Sequence, residues 1–267
     1  MKYKNETVIV RGGGDLATGV VQKFMRAGFN VLILETQEPT AIRRSVSLCE
    51  AVYDGYARVE DIECRKVTVL EDALSCWQEG IAALLVDPEG KSIEKVKPAA
   101  VIDAVMAKRN MGTTRDMSPV TIALGPGFYA GKDVHAVIET MRGHNLGRLI
   151  LEGCALPDTG IPGEVAGESI RRVIHTPQEG IIEHEKKIGD IVKQGDVLFK
   201  INGIKVTAPA SGLLRGLIRE GIYVKKGMKA ADIDPRTDIN WRTISDKARC
   251  LGGAALEAYF FLTGEKG

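Results

Sequence analysis

The segment Val8-Ile-Val-Arg-Gly-Gly-Gly-Asp-Leu-Ala-Thr-Gly19 constrains the fold more than any other stretch of the chain. A β-branched apolar run, Val8 to Val10, feeds three glycines. These open a helical pattern (Leu16, Val20, Phe24, Met25) that stops at Gly28, and a second apolar run, Val31 to Leu34, follows before Glu35. Period, breakers and length together read as a β-α-β unit. Gly12, Gly14 and Ala17 fit G-x-G-x-x-A, and Glu35 lies where an acidic residue meets a ribose hydroxyl. Glycines let backbone approach a ligand closely, and a helix N-terminus offers amides to an anion. Gly12, Gly13, Gly14, Asp15 and Glu35 are therefore candidate contacts to a nucleotide-like ligand. Asp15 argues the other way on charge, because it suits a helix start yet repels a pyrophosphate. A glycine loop that serves only as a tight turn remains the alternative.

Further along, strands and helices continue to alternate. A basic loop from Pro39 to Arg44 precedes an expected helix at Ser47 to Tyr53, with Ser47 as cap. A strand at Lys66 to Leu70, a helix at Glu71 to Gln78, a strand at Ile81 to Val86, a helix at Ser92 to Lys97 and a strand at Ala100 to Met106 follow. Such alternation means a parallel sheet in an α/β domain. Val120 to Leu124 is another strand, ending at Gly125-Pro-Gly127. Val134 to Thr140 and Leu149 to Leu151 read as a hairpin around Arg142-Gly-His-Asn145. The alternation places His135 and Glu139 on one strand face. With His144 they could bind metal or shuttle protons, but satisfied structural polar residues are the favoured reading, and no metal site is expected.

An internal repeat follows. Pro177-Gln-Glu-Gly-Ile-Ile182 recurs as Pro209-Ala-Ser-Gly-Leu-Leu214, and Gly189-Asp-Ile-Val-Lys-Gln-Gly195 as Gly221-Ile-Tyr-Val-Lys-Lys-Gly227, both at one offset of 32. Over residues 174–234 this resembles the lipoyl/biotinyl barrel-sandwich fold. Those carriers present a modified lysine at a hairpin tip; here the tip is Asn202-Gly203, a type I′ turn signal, and Lys200 and Lys205 flank it inside the strand pattern. A swinging arm is therefore not expected. A helical stripe (Ile244, Ala248, Leu251, Ala255, Leu256, Tyr259, Phe260) within Ile239 to Leu262 predicts a terminal helix that packs on the first domain or at a subunit interface.

Net charge is +1, so no electrostatic footprint for nucleic acid or anionic membrane is present. The start MKYKNET has no hydrophobic signal core, and no apolar stretch reaches the ~20 residues of a membrane span, so a cytoplasmic protein is expected. Five scattered cysteines without a C-x-x-C pair fit neither a disulfide framework nor a zinc ribbon. Cys154, in a glycine-flanked loop, is the candidate reactive thiol.

Taken in order, Arg11-Gly-Gly-Gly-Asp-Leu-Ala17, Lys108-Arg-Asn-Met-Gly-Thr113, Gly125-Pro-Gly-Phe128, Glu139-Thr-Met-Arg-Gly-His144, Asp158-Thr-Gly-Ile-Pro-Gly163 and Asp232-Ile-Asp-Pro-Arg236 resemble the YqeB family, accessory proteins of selenium-dependent molybdenum hydroxylase systems. The α/β part is similar to XdhC/CoxI-type proteins. The resemblance implies a role in maturing a molybdenum hydroxylase, with that enzyme or its maturation proteins as partners, and assigns no residue a catalytic role. A molybdopterin-type ligand is a phosphate- and oxygen-rich anion, so backbone amides and loop cations should hold it. Arg43, Arg44, Lys108, Arg109, Arg142 and His144 lie on predicted loops, and Asp103, on a strand read as buried, needs a partner. Gly125 and Gly127 complete the candidate set.

The expected architecture is α/β. A Rossmann-like ligand-binding domain spans residues 1–165, a small all-β barrel-sandwich domain 172–235, and a C-terminal helix lies in 236–267; a homo-oligomer is expected. The expected function is binding an anionic nucleotide- or molybdopterin-like ligand, the alternative an NAD(P)- or nucleotide-dependent enzyme using the same loop.

Overall fold

Val8, Ile9 and Val10 are all fully buried, which an amphipathic strand on a surface sheet cannot achieve. The computed structural model describes residues 3, 6–161 and 163–264; Pro162 of the Asp158–Gly163 motif lies outside the described residues. It divides into two units, residues 1–39, 46–158 and 244–267, and residues 40–45 with 159–243.

In the first unit β1 (Thr7–Arg11), α1 (Asp15–Ala27) and β2 (Asn30–Glu35) form the β-α-β element. Then come α2 (Ala51–Asp54), β3 (Tyr56–Val59), β4 (Ile62–Val67), α3 (Ala73–Gln78), β5 (Ala82–Val86), α4 (Ser92–Val96), β6 (Ala100–Asp103), β7 (Val120–Leu124), β8 (Ala136–Ile138), β9 (Leu149–Ile150) and α5 (Asp246–Thr263). The nine-stranded sheet runs β3-β4-β5-β2-β1-β6-β7-β8-β9. Strands β4 to β8 are parallel, and β3 and β9 are antiparallel edges. The chain leaves β1 towards one edge and β6 towards the other, so strand order reverses between these two neighbours.

Both faces are covered. Val8 and Val10 join a core with α1 and α5, whereas Ile9 joins one with Ala73, Cys76 and Ile93. The helices α1 and α5 cross closely through glycines: a Cβ on Gly19 would lie 2.2 Å from Ala248 O, and one on Gly252 would lie 2.2 Å from Gly19 O. Ser245 caps α5 by accepting from Ala248 N.

Several sequence-based boundaries differ. The helix expected at Ser47 to Tyr53 is two 3₁₀ turns, Arg44–Val46 and Leu48–Glu50, followed by α2, and Ser47 makes no side-chain capping bond. Leu48 N donates to Thr18 Oγ1 (3.1 Å) and Cys49 N to Gly13 O (2.8 Å), which ties this turn to the glycine loop. The strand expected at Lys66 to Leu70 is β4, ending at Val67 and paired with β3, a strand the sequence reading omitted. The helix placed at Glu71 begins as a 3₁₀ turn, Leu70–Asp72, and becomes regular from Ala73. The strand expected to reach Met106 stops at Asp103, whose Oδ1 accepts from Val105 N (3.1 Å), and Met106 has φ +60°. The terminal helix begins at Asp246 rather than Ile239.

The second unit holds β10 (Val173–His175), β11 (Gly180–His184), β12 (Ile191–Val192), β13 (Val197–Ile201), β14 (Ile204–Thr207), β15 (Gly212–Leu217), β16 (Tyr223–Val224) and β17 (Lys229–Asp234). They form two four-stranded antiparallel sheets, β10-β17-β15-β12 and β14-β13-β11-β16. The repeat is visible in the pairing. Gly180 pairs with Val224 and Gly212 with Val192; Ile181 pairs with Tyr223 and Leu213 with Ile191. A shift of 32 residues carries one ladder onto the other with the repeats exchanged, so the two halves are intertwined. Residues 40–45 belong here rather than to a domain ending at 165, because Leu217 N donates to Ile42 O (2.7 Å) and Arg44 Nε to Leu217 O (2.8 Å). Behind β15 and β17, Asp232 accepts from Arg172 Nη2 (2.8 Å) and from Arg215 Nε (2.8 Å) and Nη2 (2.6 Å), and Asp234 accepts from Arg215 Nη1 (2.7 Å). Among the described residues no helix is long and apolar enough to cross a membrane.

Candidate functional site

The carboxyl ends of parallel strands carry ligands where strand order reverses, because the loops there diverge and leave a crevice. In the first unit this edge is built by the loops after β1, β2, β5, β6, β7 and β8. Gly12 follows β1 at φ +89°, and a Cβ there would sit 3.1 Å from Ala104 O, so only glycine allows the loops after β1 and β6 to touch.

The glycine amides are not equivalent. Gly12 N donates to Leu34 O (2.8 Å) and Gly13 N to Glu35 Oε1 (2.7 Å). These two, expected to face an anion, are spent within the protein. Gly14 is the N-cap of α1 (φ −66°, ψ −178°), no side chain caps that helix, and a Cβ on Gly14 would meet nothing within 4 Å. The open approach to the α1 amides is thus at Gly14, with Asp15 in the first turn beside it.

Glu35 Oε2 accepts from Thr36 N (2.7 Å). Burial pushes its carboxyl up, and the amide bonds from Gly13 and Thr36 oppose that shift. Close by, Cys49 is buried, and its thiol is pushed well above its ordinary value by burial and then by the charges of Glu35, Glu50 and Asp15. This side of the loop is acidic.

At the ends of β1 and β6 lies a cluster of which the sequence reading singled out only Asp103. Arg11, Asp103 and Thr113 are all buried. Thr113 Oγ1 donates to Asp103 Oδ2 (2.6 Å) and accepts from Arg11 Nη1, whose distance to Asp103 Oδ2 is 3.9 Å. Arg11 Nη2 also donates to Pro88 O (2.9 Å). This answers which partner buried Asp103 has. It joins the ends of β1 and β6 to the loops that follow β5 and β6. The sequence signals were charged residues closing apolar runs, Val-Ile-Val-Arg11 and Val-Ile-Asp103, of which only the second was read as needing a partner.

The remaining candidates are dispersed. Lys108, at φ +62°, pairs with Asp158 (2.5 Å). The backbone of Arg109 lies against Gly127, whose Cβ would approach it to 2.6 Å, and Gly125 packs under Thr140. Arg142 forms a two-pronged pair with Asp246 at the start of α5 (2.9 and 3.2 Å). His144 is exposed. Arg43 and Arg44 fall in the second unit, where Arg44 bonds Leu217 O and Arg43 is buried, so neither is a loose surface cation. Glu139 accepts from Met141 N (2.7 Å) and Leu156 N (2.8 Å), a structural role. Among the described residues no group of His, Cys, Asp or Glu is arranged to hold a metal. Cys154 is exposed and not disulfide-bonded. In the second unit, Asn202 (φ +49°) and Gly203 (φ +79°) have the positive φ pair of a type I′ turn. Lys200 pairs with Lys205 across that hairpin and forms an ion pair with Glu185.

No family model matches the chain. It is 46% identical over 259 residues to the uncharacterized protein YqeB of Escherichia coli (strain K12), a match covering 97% of this chain and supporting a place in the YqeB family. The chain spans about half (48%) of that relative's length. Solved structures with a likeness include an aspartoacylase family protein from Mesorhizobium loti (12% identical, 80% of this chain and 59% of that one, TM-score 0.25) and the ectoine utilization protein EutE (DoeB) from Ruegeria pomeroyi (12%, 85% and 85%, TM-score 0.26). Overlap that slight carries no argument about fold or chemistry.

Proposed function

We propose that this relative of YqeB is a binding protein that holds an anionic nucleotide- or molybdopterin-like ligand at the carboxyl edge of its parallel sheet, in the service of maturing a selenium-dependent molybdenum hydroxylase. Its first unit is, on this reading, a Rossmann-like domain, since β5-β2-β1-β6-β7-β8 follow the strand order of doubly wound dinucleotide-binding sheets. The second unit, with its exchanged repeats, is a barrel-sandwich domain used for docking rather than as a swinging arm. The hydroxylase or its maturation proteins in the cytoplasm are the partners, and the chain acts as a homo-oligomer. One observation carries the ligand reading. The uncapped start of α1 at Gly14 leaves an open approach to helix amides at the strand-order reversal.

The test begins with native mass spectrometry of freshly purified protein, to find a retained pterin, nucleotide or selenium species. Calorimetry of the species found then compares the parent with Gly14→Val. A Cβ at Gly14 meets nothing within 4 Å, so loss of binding with an unchanged melting curve supports the reading, and undiminished binding refutes it.

Glu35 favours a second reading, an NAD(P)- or nucleotide-dependent enzyme, because its carboxylate stands at the end of β2 where ribose hydroxyls bind. There Glu35→Ala should weaken NAD by about 1–3 kcal/mol. Absence of NAD and NADP binding leaves the delivery role ahead.

A further inference from the structure

Away from the glycine loop, the first unit carries an open cavity of about 620 Å³ between the loop that enters β7 and the loop that enters β8. Asn110, Thr113, Arg115, Lys132, Asp133 and His135 are among its lining residues. Their hydrogen bonds sort these groups into those already engaged and those still offering a proton.

The acceptors are engaged in holding the loops. Asn110 Oδ1 accepts from Gly112 N and Thr113 N (2.8 Å each), Asp133 Oδ2 from Tyr129 N (2.8 Å), and Asp116 Oδ1 from Thr114 Oγ1. Ser118 Oγ donates to Val120 O (2.6 Å). The donors are different. His135 Nδ1 faces two donors of Thr121, the backbone N (3.0 Å) and Oγ1 (2.7 Å); accepting from both leaves Nδ1 bare and puts the proton of the neutral ring on Nε2. Among the described residues no group hydrogen-bonds His135 Nε2. Burial, and then the charge of Arg115, hold the ring below its ordinary value, so it is a neutral donor near pH 7. Arg115 uses Nη1 on Gly131 O (2.9 Å) and retains its other guanidinium N–H groups. Among the described residues the Lys132 ammonium has no recorded ion pair.

We propose that this cavity is a second binding site, for a small oxyanion (a carboxylate or a phosphate monoester), held by Arg115, Lys132 and the Nε2–H of His135. A planar guanidinium, a compact ammonium and a neutral imidazole N–H supply complementary donors for two or three oxygens of one group. The carboxylates of Asp116 and Asp133 balance the two cations, so the site repels extended polyanions and selects a single small group. Thr113 lines this cavity and also bridges Arg11 to Asp103, so occupancy here abuts the cluster beneath the glycine loop. The site is separate from the one under Proposed function and stands without it.

The experiment titrates the full chain, ¹⁵N-labelled on histidine, with inorganic phosphate, glycerol phosphate or succinate at constant ionic strength, and follows the His135 ring nitrogens by NMR. Saturable movement of His135 Nε2 is expected, with the preferred arm identifying phosphate or carboxylate. Lys132→Gln, a substitution of an exposed side chain, should weaken binding roughly threefold to tenfold. His135→Gln should weaken it at least about tenfold, read by calorimetry. Gly14→Val should leave this binding unchanged, which separates failure at one site from failure at the other. No saturable response to any of the three probes, or affinity that survives both Lys132→Gln and His135→Gln, overturns the proposal.

Discussion

The crossing of α1 and α5 admits a sharp test. Gly19→Ala would set a methyl 2.2 Å from Ala248 O and 2.6 Å from Ala248 C. Ordinary contact begins at 3.4 Å, so the helices must separate by 1.2 Å, and the obstacle is backbone rather than the end of a flexible side chain. Separation would loosen a buried seam that includes Ala248, Leu251 and Ala255 and the edge-on pair of Phe24 with Tyr259. Overpacking of cores costs about 1–3 kcal/mol, and a backbone obstacle puts this case at the top of that range. A loss of about 3 kcal/mol is a large part of the roughly 5–15 kcal/mol that holds a domain folded. It lowers the melting temperature by roughly 6–12 °C for a unit of this size. Gly252→Ala meets the reciprocal obstacle, Gly19 O at 2.2 Å. Once one methyl has moved the helices apart the second meets less resistance, so the double variant should fall short of additivity by about 1 kcal/mol. Gly253→Ala is the control. It lies one position along the same helix with nothing within 4 Å, and it should gain about 0.5–1 kcal/mol from helix propensity alone. Urea and thermal melts of the four variants decide the matter. A Gly19→Ala protein that melts within about 1 °C of the parent, or two costs that simply add, would refute the close-crossing argument.

Three further outcomes are expected. Gly14→Ser supplies the missing side-chain cap of α1, so it should stabilise the fold by about 0.2–0.5 kcal/mol in urea unfolding while weakening ligand binding; a ligand that binds it as well as the parent would mean the glycine is a turn only. Asp232→Ala leaves Arg172 and Arg215 without the buried carboxylate they share, and should cost about 3–5 kcal/mol in urea unfolding. The carboxyl of Asp61 is held down at about 2 by the guanidinium of Arg26. Its contribution is thus fully present above about pH 4 and is lost as pH falls through about 2; the pair is half exposed, so Asp61→Asn should cost about 0.5 kcal/mol or less at neutral pH and nothing at pH 1.5.

The legible parts of the chain were those in which local pattern and tertiary demand agree. β1, α1 and β2 fall where the apolar runs and glycines put them, because the strands are buried on both faces and α1 has one apolar stripe. The 32-residue repeat was equally plain, since its turns recur at the same offset that relates the strand ladders. What escaped is long-range. β3 and β4 turn at Glu60, whose φ of +52° carries no glycine signal, and its carboxylate is held by Gln22 and by Ile244 N far along the chain. Residues 40–45 read as a loop in the first domain, yet their backbone pairs with Leu217. Within the candidate site the glycines and Glu35 were readable, but that Gly13 and Glu35 satisfy one another was not. Arg11 was passed over for the opposite reason. A cation at a strand end reads as solvated, and only the fold brings Thr113 and Asp103 to meet it.

That mutual satisfaction constrains what the site can take. Were all three glycine amides free, the loop would suit a pyrophosphate. With Gly12 and Gly13 spent on Leu34 O and Glu35, the end proposed to take an anion shrinks to the approach at Gly14 and the first turn of α1. Next to it stand Asp15 and Glu35, with the buried thiol of Cys49, which burial and then the neighbouring carboxylates push well above its ordinary value. A second phosphate placed there would face two carboxylates. A ribose hydroxyl or a pterin N–H would instead meet oxygens that still have lone pairs to offer, since each Glu35 oxygen accepts one backbone N–H. The pattern asks for a ligand with one anionic end and a neutral, donor-rich end. A mononucleotide or a pterin phosphate meets that demand better than a dinucleotide, and on this ground the binding-protein reading stands ahead of the dehydrogenase.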